Sequence, residues 1–247
     1  MTAAIHAELL KLTTVRTTRT FLIATAGFVL LAVAFQAASA GGEFLGPLQD
    51  PATQRSLLTS GSIATVVAVV FGALSISGEF RHRTVVPTLL VLPDRIRMVA
   101  AKAVAGAVGG AMLGVAAILA AGLGTTGALL FTGTGLEVEL TPVVGAWLGT
   151  IGSAALGSIL GLGIGGLARN QAMAVGAVLL LLLALEPLLA SMAPSIAPWL
   201  PATLSTTIAD PASATQPTAT VATGLYAAYG TFLVAAAAMT LRRVDIS

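Results

Sequence analysis

The stretch AVAGAVGGAMLGVAAILAAGL, residues 103–123, decides the fold. It holds 21 residues without a charge, and about 20 apolar residues suffice to carry a helix across a bilayer. Lys102 stands immediately before it and a glycine-threonine step follows, so the run has definite ends. It shows no period-two alternation of apolar and polar residues, which argues for a helix rather than a barrel strand.

Five further runs read the same way: 21–38, 60–76, 143–167, 172–189 and 221–241. Only Glu186 interrupts any of the six with a charge. The composition of the whole chain agrees. Of its 247 residues 56% are hydrophobic and 9% charged, against about 25% charged in an ordinary soluble domain. So few charges cannot cover a water-exposed surface, which excludes a soluble globular enzyme, a disordered chain and a nucleic-acid-binding protein. The absence of cysteine excludes a disulfide scaffold, a thiolate metal site and a cysteine nucleophile. The expected fold is all-α: a polytopic membrane protein of six transmembrane helices, forming a single transmembrane domain over 1–247.

Basic residues set the orientation. With the N-terminus cytoplasmic, the inner segments hold Lys11, Arg16, Arg19, Arg81, Arg83, Arg95, Arg97, Lys102, Arg169, Arg242 and Arg243. Arg55 alone falls outside, among Glu43, Asp50, Glu137, Glu139 and Asp210. Both termini are therefore expected on the cytoplasmic side of the membrane. The run that ends at Ala38-Ser39-Ala40 mimics a signal peptide with a small-residue cleavage site. We read it as the end of the first span, because the region before it is long and patterned.

Catalytic motifs are missing. Neither lysine follows a glycine, so a phosphate-binding P-loop cannot form. His6 and His82 belong to no metal-ligand spacing, and no serine sits in a nucleophile elbow. The chain is read as a non-enzyme without a cofactor of its own. Neither a repeat of 20–50 residues nor similarity between the two halves is visible, which weighs against a transporter built from inverted repeats.

Two blocks outside the spans carry information. In residues 1–20, Ile5, Leu9 and Leu12 share a helical face, with Glu8, Lys11 and Arg19 read as lying largely elsewhere. This suits an amphipathic helix in the headgroup layer, or else a simple basic anchor for the first span; Arg16 and Arg19 are interfacial under either reading. The second block, 78–102, joins spans 2 and 3 and concentrates Glu79, Arg81, Arg83, Asp94, Arg95, Arg97 and Lys102. Pro87 and Pro93 divide it into short pieces around the apolar Thr88-Leu89-Leu90-Val91. A loop that only fixed topology would need neither the acids nor the apolar patch, so we read a docking element.

These blocks resemble the permease subunits of type-2 ABC exporters, in particular the compact actinobacterial kind. The resemblance rests on Ala7-Glu8-Leu9-Leu10-Lys11-Leu12 with Thr17-Thr18-Arg19, then on Gly78-Glu79-Phe80-Arg81 with Thr84. Thr88-Leu89-Leu90, Pro93 with Arg95, and Ala100-Ala101-Lys102 complete it. The family's glycine-threonine step is Arg83-Thr84 here. The resemblance implies an N-terminal elbow helix carrying Glu8, Lys11, Arg16 and Arg19. It also implies a cytoplasmic coupling helix between spans 2 and 3, with ATPase coupling by Glu79, Phe80, Arg81, Arg83, Thr84, Asp94 and Arg95. The implied partners are two P-loop ATPase subunits, which would bring ATP and magnesium, and a second copy of the chain or a related permease, with the dimer contact on spans 1 and 5. Glu79 is expected to pair with Arg16 or Arg19, or with a basic residue of the ATPase. An amphiphile such as a drug, peptide antibiotic or lipid is the expected cargo. Two alternatives from other classes are a non-transporting transmitter coupled to an ATPase and a stand-alone secondary transporter.

Three features complete the reading. Glu186 lies about 25 Å along span 5 from Arg169, at 1.5 Å per residue, near the outer headgroups. It is read either as an interfacial residue that reaches water and caps a broken helix end, or as an acidic lining of the outer exit. Pro194, Pro198, Trp199 and Pro201 exclude one continuous helix from the outer segment 191–220, with Trp199 as an interfacial anchor. In span 4, Gly145, Gly149, Gly157, Gly161 and Gly165 offer close helix contact, expected within the chain.

Overall fold

The computed structural model describes residues 2–42, 45–81, 95–212 and 217–242. It is all-helical, with no strand among the described residues. In chain order the helices are α1 (Thr2–Thr14), α2 (Arg16–Ala38), α3 (Pro51–Thr59), α4 (Ala64–Arg81), α5 (Arg95–Thr132), α6 (Leu140–Ala168), α7 (Gln171–Leu179), α8 (Glu186–Met192), α9 (Pro201–Ala209) and α10 (Ala219–Arg242). A 3-10 turn, Ser60–Ile63, joins α3 to α4, and a π-helical turn, Leu180–Leu185, joins α7 to α8.

Six of these units are long and apolar enough to cross a membrane: Arg16–Ala38, Pro51–Arg81, Ile96–Thr132, Leu140–Ala168, Gln171–Met192 and Ala219–Thr240. Each contains one of the six runs read from sequence, apart from a residue at the end of the last. The helices overrun those apolar runs because backbone hydrogen bonding does not stop where hydrophobicity does. The 38 residues of α5 extend about 57 Å, nearly twice a ~30 Å hydrocarbon core. Residues 95–102 are therefore the first turns of α5, and 79–81 the last of α4, rather than parts of a free connection. The proline-divided centre of that connection, 82–94, lies outside the described residues.

Helix α6 is the axis of the packing. Lipid tails are as apolar as leucine, so helices in a bilayer associate through close fit, and small residues permit it. A Cβ on Gly161 would land on the Val69 carbonyl, one on Gly165 on the Ala73 carbonyl, and one on Gly72 on the Ser158 carbonyl. Those three contacts lock α4 to α6. Gly110 meets Ala154 and Gly114 meets Ile151 to seat α5, while Gly163 and Gly166 receive Leu233 and Ala237 of α10. Of the span 4 stripe read from sequence, Gly149, Gly157, Gly161 and Gly165 all make contacts within the chain, whereas Gly145 faces open space. A buried hydroxyl pair, Thr65 Oγ1 and Ser153 Oγ at 2.7 Å, adds one polar contact between α4 and α6.

The outer spans present apolar side chains such as Ile23, Leu31, Phe35, Leu183 and Phe232, each more than half exposed, which in a bilayer is the lipid-facing surface. At the end opposite the basic residues, fully buried Gln54 fastens the loops. Its Nε2 donates to the Leu48 and Gly135 carbonyls, both at 2.9 Å, and its Oε1 accepts from the Glu137 backbone N–H at 2.8 Å. Arg55, the exception to the charge asymmetry, lies at this end with Nη2 on Asp210 Oδ1.

Candidate functional site

Helix α1 joins α2 through Val15 alone, in extended geometry, and packs along the start of α5. Polar side chains bond to the backbone of its last turns. The Thr13 and Thr14 hydroxyls donate to the Leu10 carbonyl, and Arg19 Nη2 donates to the Thr13 carbonyl at 3.2 Å. The half-buried face comprises Ala4, Ile5, Glu8, Leu9 and Leu12. Glu8 therefore shares the apolar face, contrary to the sequence reading that set it elsewhere. Positions 5, 8, 9 and 12 are neighbours on a helix, and Lys102 opposite supplies the counter-charge.

Glu8 belongs to a closed ring of alternating charge. Lys11 Nζ lies 2.6 Å from Glu8 Oε1 and 3.1 Å from Glu79 Oε1, and Lys102 Nζ lies 2.9 Å from Glu8 Oε2 and 2.6 Å from Glu79 Oε1. The ring brings together three elements: α1, the end of α4 and the start of α5. Its two lysines and two glutamates cancel formally. That matters because three of the four side chains are withdrawn from water: Lys102 is 4% exposed, and Glu79 and Glu8 are 12% and 13% exposed. Single charges at such depth are expensive unless paired and hydrogen-bonded. Burial alone would raise the Glu8 carboxyl, but Lys102 and Lys11 outweigh it and hold Glu8 below the ordinary carboxylate value. Burial likewise opposes the Lys11 charge, but Glu8 and Glu79 hold its ammonium above the ordinary lysine value.

The α1 residue that Glu79 meets is Lys11, whereas sequence reasoning offered Arg16, Arg19 or a basic residue of the ATPase. Arg19 turns to the Thr13 carbonyl and Arg16 is exposed. Sequence reasoning placed Lys102 at the end of the docking block 78–102 but assigned it no partner. One signal for it exists: Lys102 lies seven residues beyond Arg95, the first of α5, where the flanking residues are already apolar. A lysine there has no short route to water.

The neighbouring residues form a second layer. Phe80 packs against the buried cluster of Ile76, Met98 and Val99. Arg81 Nη1 donates to Gln171 Oε1 at 2.9 Å, linking the end of span 2 to the start of span 5. Arg169 takes a left-handed conformation, φ 51°, where α6 ends, and its Nη2 donates to the Thr240 carbonyl at 3.0 Å. Arg95 opens α5. Arg83, Thr84 and Asp94 lie outside the described residues.

Glu186 is far from this ring and is 3% exposed, so its carboxylate does not reach water as the sequence reading expected. Its Oε2 accepts from the Ala202 backbone N–H at 2.6 Å. It caps a helix end, as one of the two sequence readings had it, but the end belongs to α9, sixteen residues further on.

The six spans and the all-helical fold define a multi-pass α-helical membrane protein. No protein-family model matches the chain, and no curated protein shows significant similarity to it.

Proposed function

We propose that the chain is the membrane-spanning permease subunit of an ATP-driven exporter whose ATP hydrolysis is supplied by a separate P-loop ATPase. One observation carries the reading: the Glu8–Lys11–Glu79–Lys102 ring. It fastens both helices that flank the basic, apolar segment 82–94, and it fastens them to α1. A load applied to that segment by a partner would be passed to spans 2 and 3 and to the elbow together, because each of the four charges is held by two others of the ring. The cargo is an amphiphile, in keeping with spans lined by alanine and leucine. Two copies of the permease, or two related ones, would enclose the path, with two ATPase subunits closing beneath them.

The test is gentle purification of the tagged chain from native membranes. A stoichiometric P-loop ATPase, together with ATP-dependent transport in liposomes, supports the proposal. A second reading, an ion-coupled transporter that acts alone, draws on the buried Glu186. It requires gradient-driven transport by the purified chain without ATP.

A further inference from the structure

Four helix ends meet around Arg169 at the basic end of the molecule: the ends of α4, α6 and α10 and the start of α7. Arg169 follows the last residue of α6 in the left-handed conformation, φ 51°, where glycine is usual because a Cβ is strained there. It is the one non-glycine residue with a positive φ among the described residues. Its Nη2 donates to the Thr240 carbonyl at 3.0 Å, and its Nε is buried with no hydrogen-bond partner among the described residues. Two residues on, Gln171 opens α7, and its Oε1 accepts from Arg81 Nη1 at 2.9 Å. Arg81 itself is exposed.

Neither guanidinium is neutralised by the protein. Among the described residues the acids at this end are Glu8 and Glu79, and Lys11 and Lys102 hold both in the ring. An amide oxygen and a carbonyl oxygen fix Arg81 and Arg169 in place without cancelling their charge. Arginines held in this way are prepared for an anion, because the guanidinium fork matches two oxygens of a phosphate. The surface beside them is apolar and open. Leu167 is 39% exposed and Met173 65% exposed, and the exposed face of span 5 continues from Met173 through Ala177 to Leu180. Nothing lies within 4 Å of where a Cβ on Gly176 would stand. A free anion would use the arginines alone, whereas an anion with a long apolar tail uses the whole surface.

We propose that Arg81 and Arg169 bind the phosphate of an anionic phospholipid in the leaflet at the basic end, with an acyl chain laid along Met173, Ala177 and Leu180. A zwitterionic lipid offers the same phosphate, but its ammonium restores the positive charge, so a lipid of net negative charge is preferred. The headgroup joins the end of span 2, through Arg81, to the end of span 4, through Arg169, where span 5 begins. Such a site needs neither cargo nor ATPase.

The chain has no cysteine, so one introduced thiol carries one probe. Full-length Met173→Cys, labelled with a fluorophore, is reconstituted in phosphatidylcholine vesicles with a small fraction of nitroxide-chain lipid, either phosphatidylglycerol or phosphatidylcholine. Quenching should show a preference for phosphatidylglycerol of about fivefold for each arginine, and Arg81→Gln or Arg169→Gln should each lower it by about that factor. The same probe at Leu188→Cys, exposed further along the span, should show no preference. Arg16→Gln, which removes an exposed arginine outside this corner, should leave the preference at Met173→Cys unchanged. Equal quenching of Met173→Cys by the two lipids, an equal preference at Leu188→Cys, or an equal loss with Arg16→Gln overturns the lipid site. So does release of the quencher by inorganic phosphate, the mark of a free-anion site. Absence of quenching by either lipid, the mark of a second copy covering this face, overturns it too. If Arg169→Gln does not fold, Arg81→Gln decides alone. A chain that purifies without an ATPase sinks the transport reading and leaves the lipid site standing.

Discussion

Lys102 Nζ lies 2.6 Å from Glu79 Oε1 across 23 residues of chain, and the pair closes the ring that Glu8 and Lys11 complete. The contact joins span 3 to span 2 where the segment between them departs.

Removing Lys102 should therefore cost more than removing Lys11. Lys102→Ala leaves two nearly buried carboxylates facing each other, a loss of about 3 kcal/mol by analogy with other broken buried pairs. Lys11 is 45% exposed, and water can replace much of what it gives. Thermal unfolding of the solubilised chain should show a large downward shift for Lys102→Ala and a small one for Lys11→Ala. Equal shifts would remove Lys102 from the centre of the ring.

The docking of α1 should be flat with pH over a broad range. Glu8 is depressed below 4.5, so its contribution is present above 4.5 and is lost as pH falls through its lowered value. Lys11 is raised above 10.5, so its contribution is present below 10.5 and is lost as pH rises through its raised value. Amide exchange in Thr2–Thr14, corrected for intrinsic rates, should be constant at neutral pH and accelerate only at the two extremes. Acceleration near pH 7 would contradict the ring as the anchor of α1.

The glycine contacts predict a contrast along a single helix. Gly161→Ala forces a Cβ onto the Val69 carbonyl and should destabilise by at least 1–3 kcal/mol, roughly the range for overpacking. Gly145→Ala meets open space and should be neutral, or stabilising by up to about 1 kcal/mol through helix propensity. Denaturation of both variants in one detergent checks the pair.

Gln54→Leu keeps the volume but strands the Leu48 and Gly135 carbonyls and the Glu137 N–H. With each stranded group costing about 1–3 kcal/mol, a loss of roughly 3 kcal/mol is expected, with faster proteolysis of the 133–139 loop. Unchanged proteolysis would mean that other contacts hold that loop.

The spans were legible in the sequence because apolar length is a local property, and charge poverty left few candidates to confuse it. The glycine spacing on span 4 announced close packing, but it could not say which helix fills each notch. Gly161 and Gly149 receive quite different partners, Val69 and Ile208. The ring was half legible. Glu79 stood out beside its arginines, yet its two partners in the ring are 68 and 23 residues away, and Lys102 closed the docking block without a partner of its own. Glu8 was misplaced because the eye assigns charges to the polar face, and only the approach of α5 makes the inward face tolerable. Glu186 was found as the one charge in a span, but its target is a backbone N–H that no side-chain pattern records.

In the proposed function the ring transmits work from an ATPase. The most direct measurement is ATP hydrolysis and cargo transport by the complex purified from native membranes, compared with the same complex carrying Glu79→Ala. A P-loop ATPase should copurify stoichiometrically, and Glu79→Ala should leave ATP hydrolysis in place while transport falls away. A chain that purifies without an ATPase, or a Glu79→Ala complex that transports as well as the native one, would contradict it.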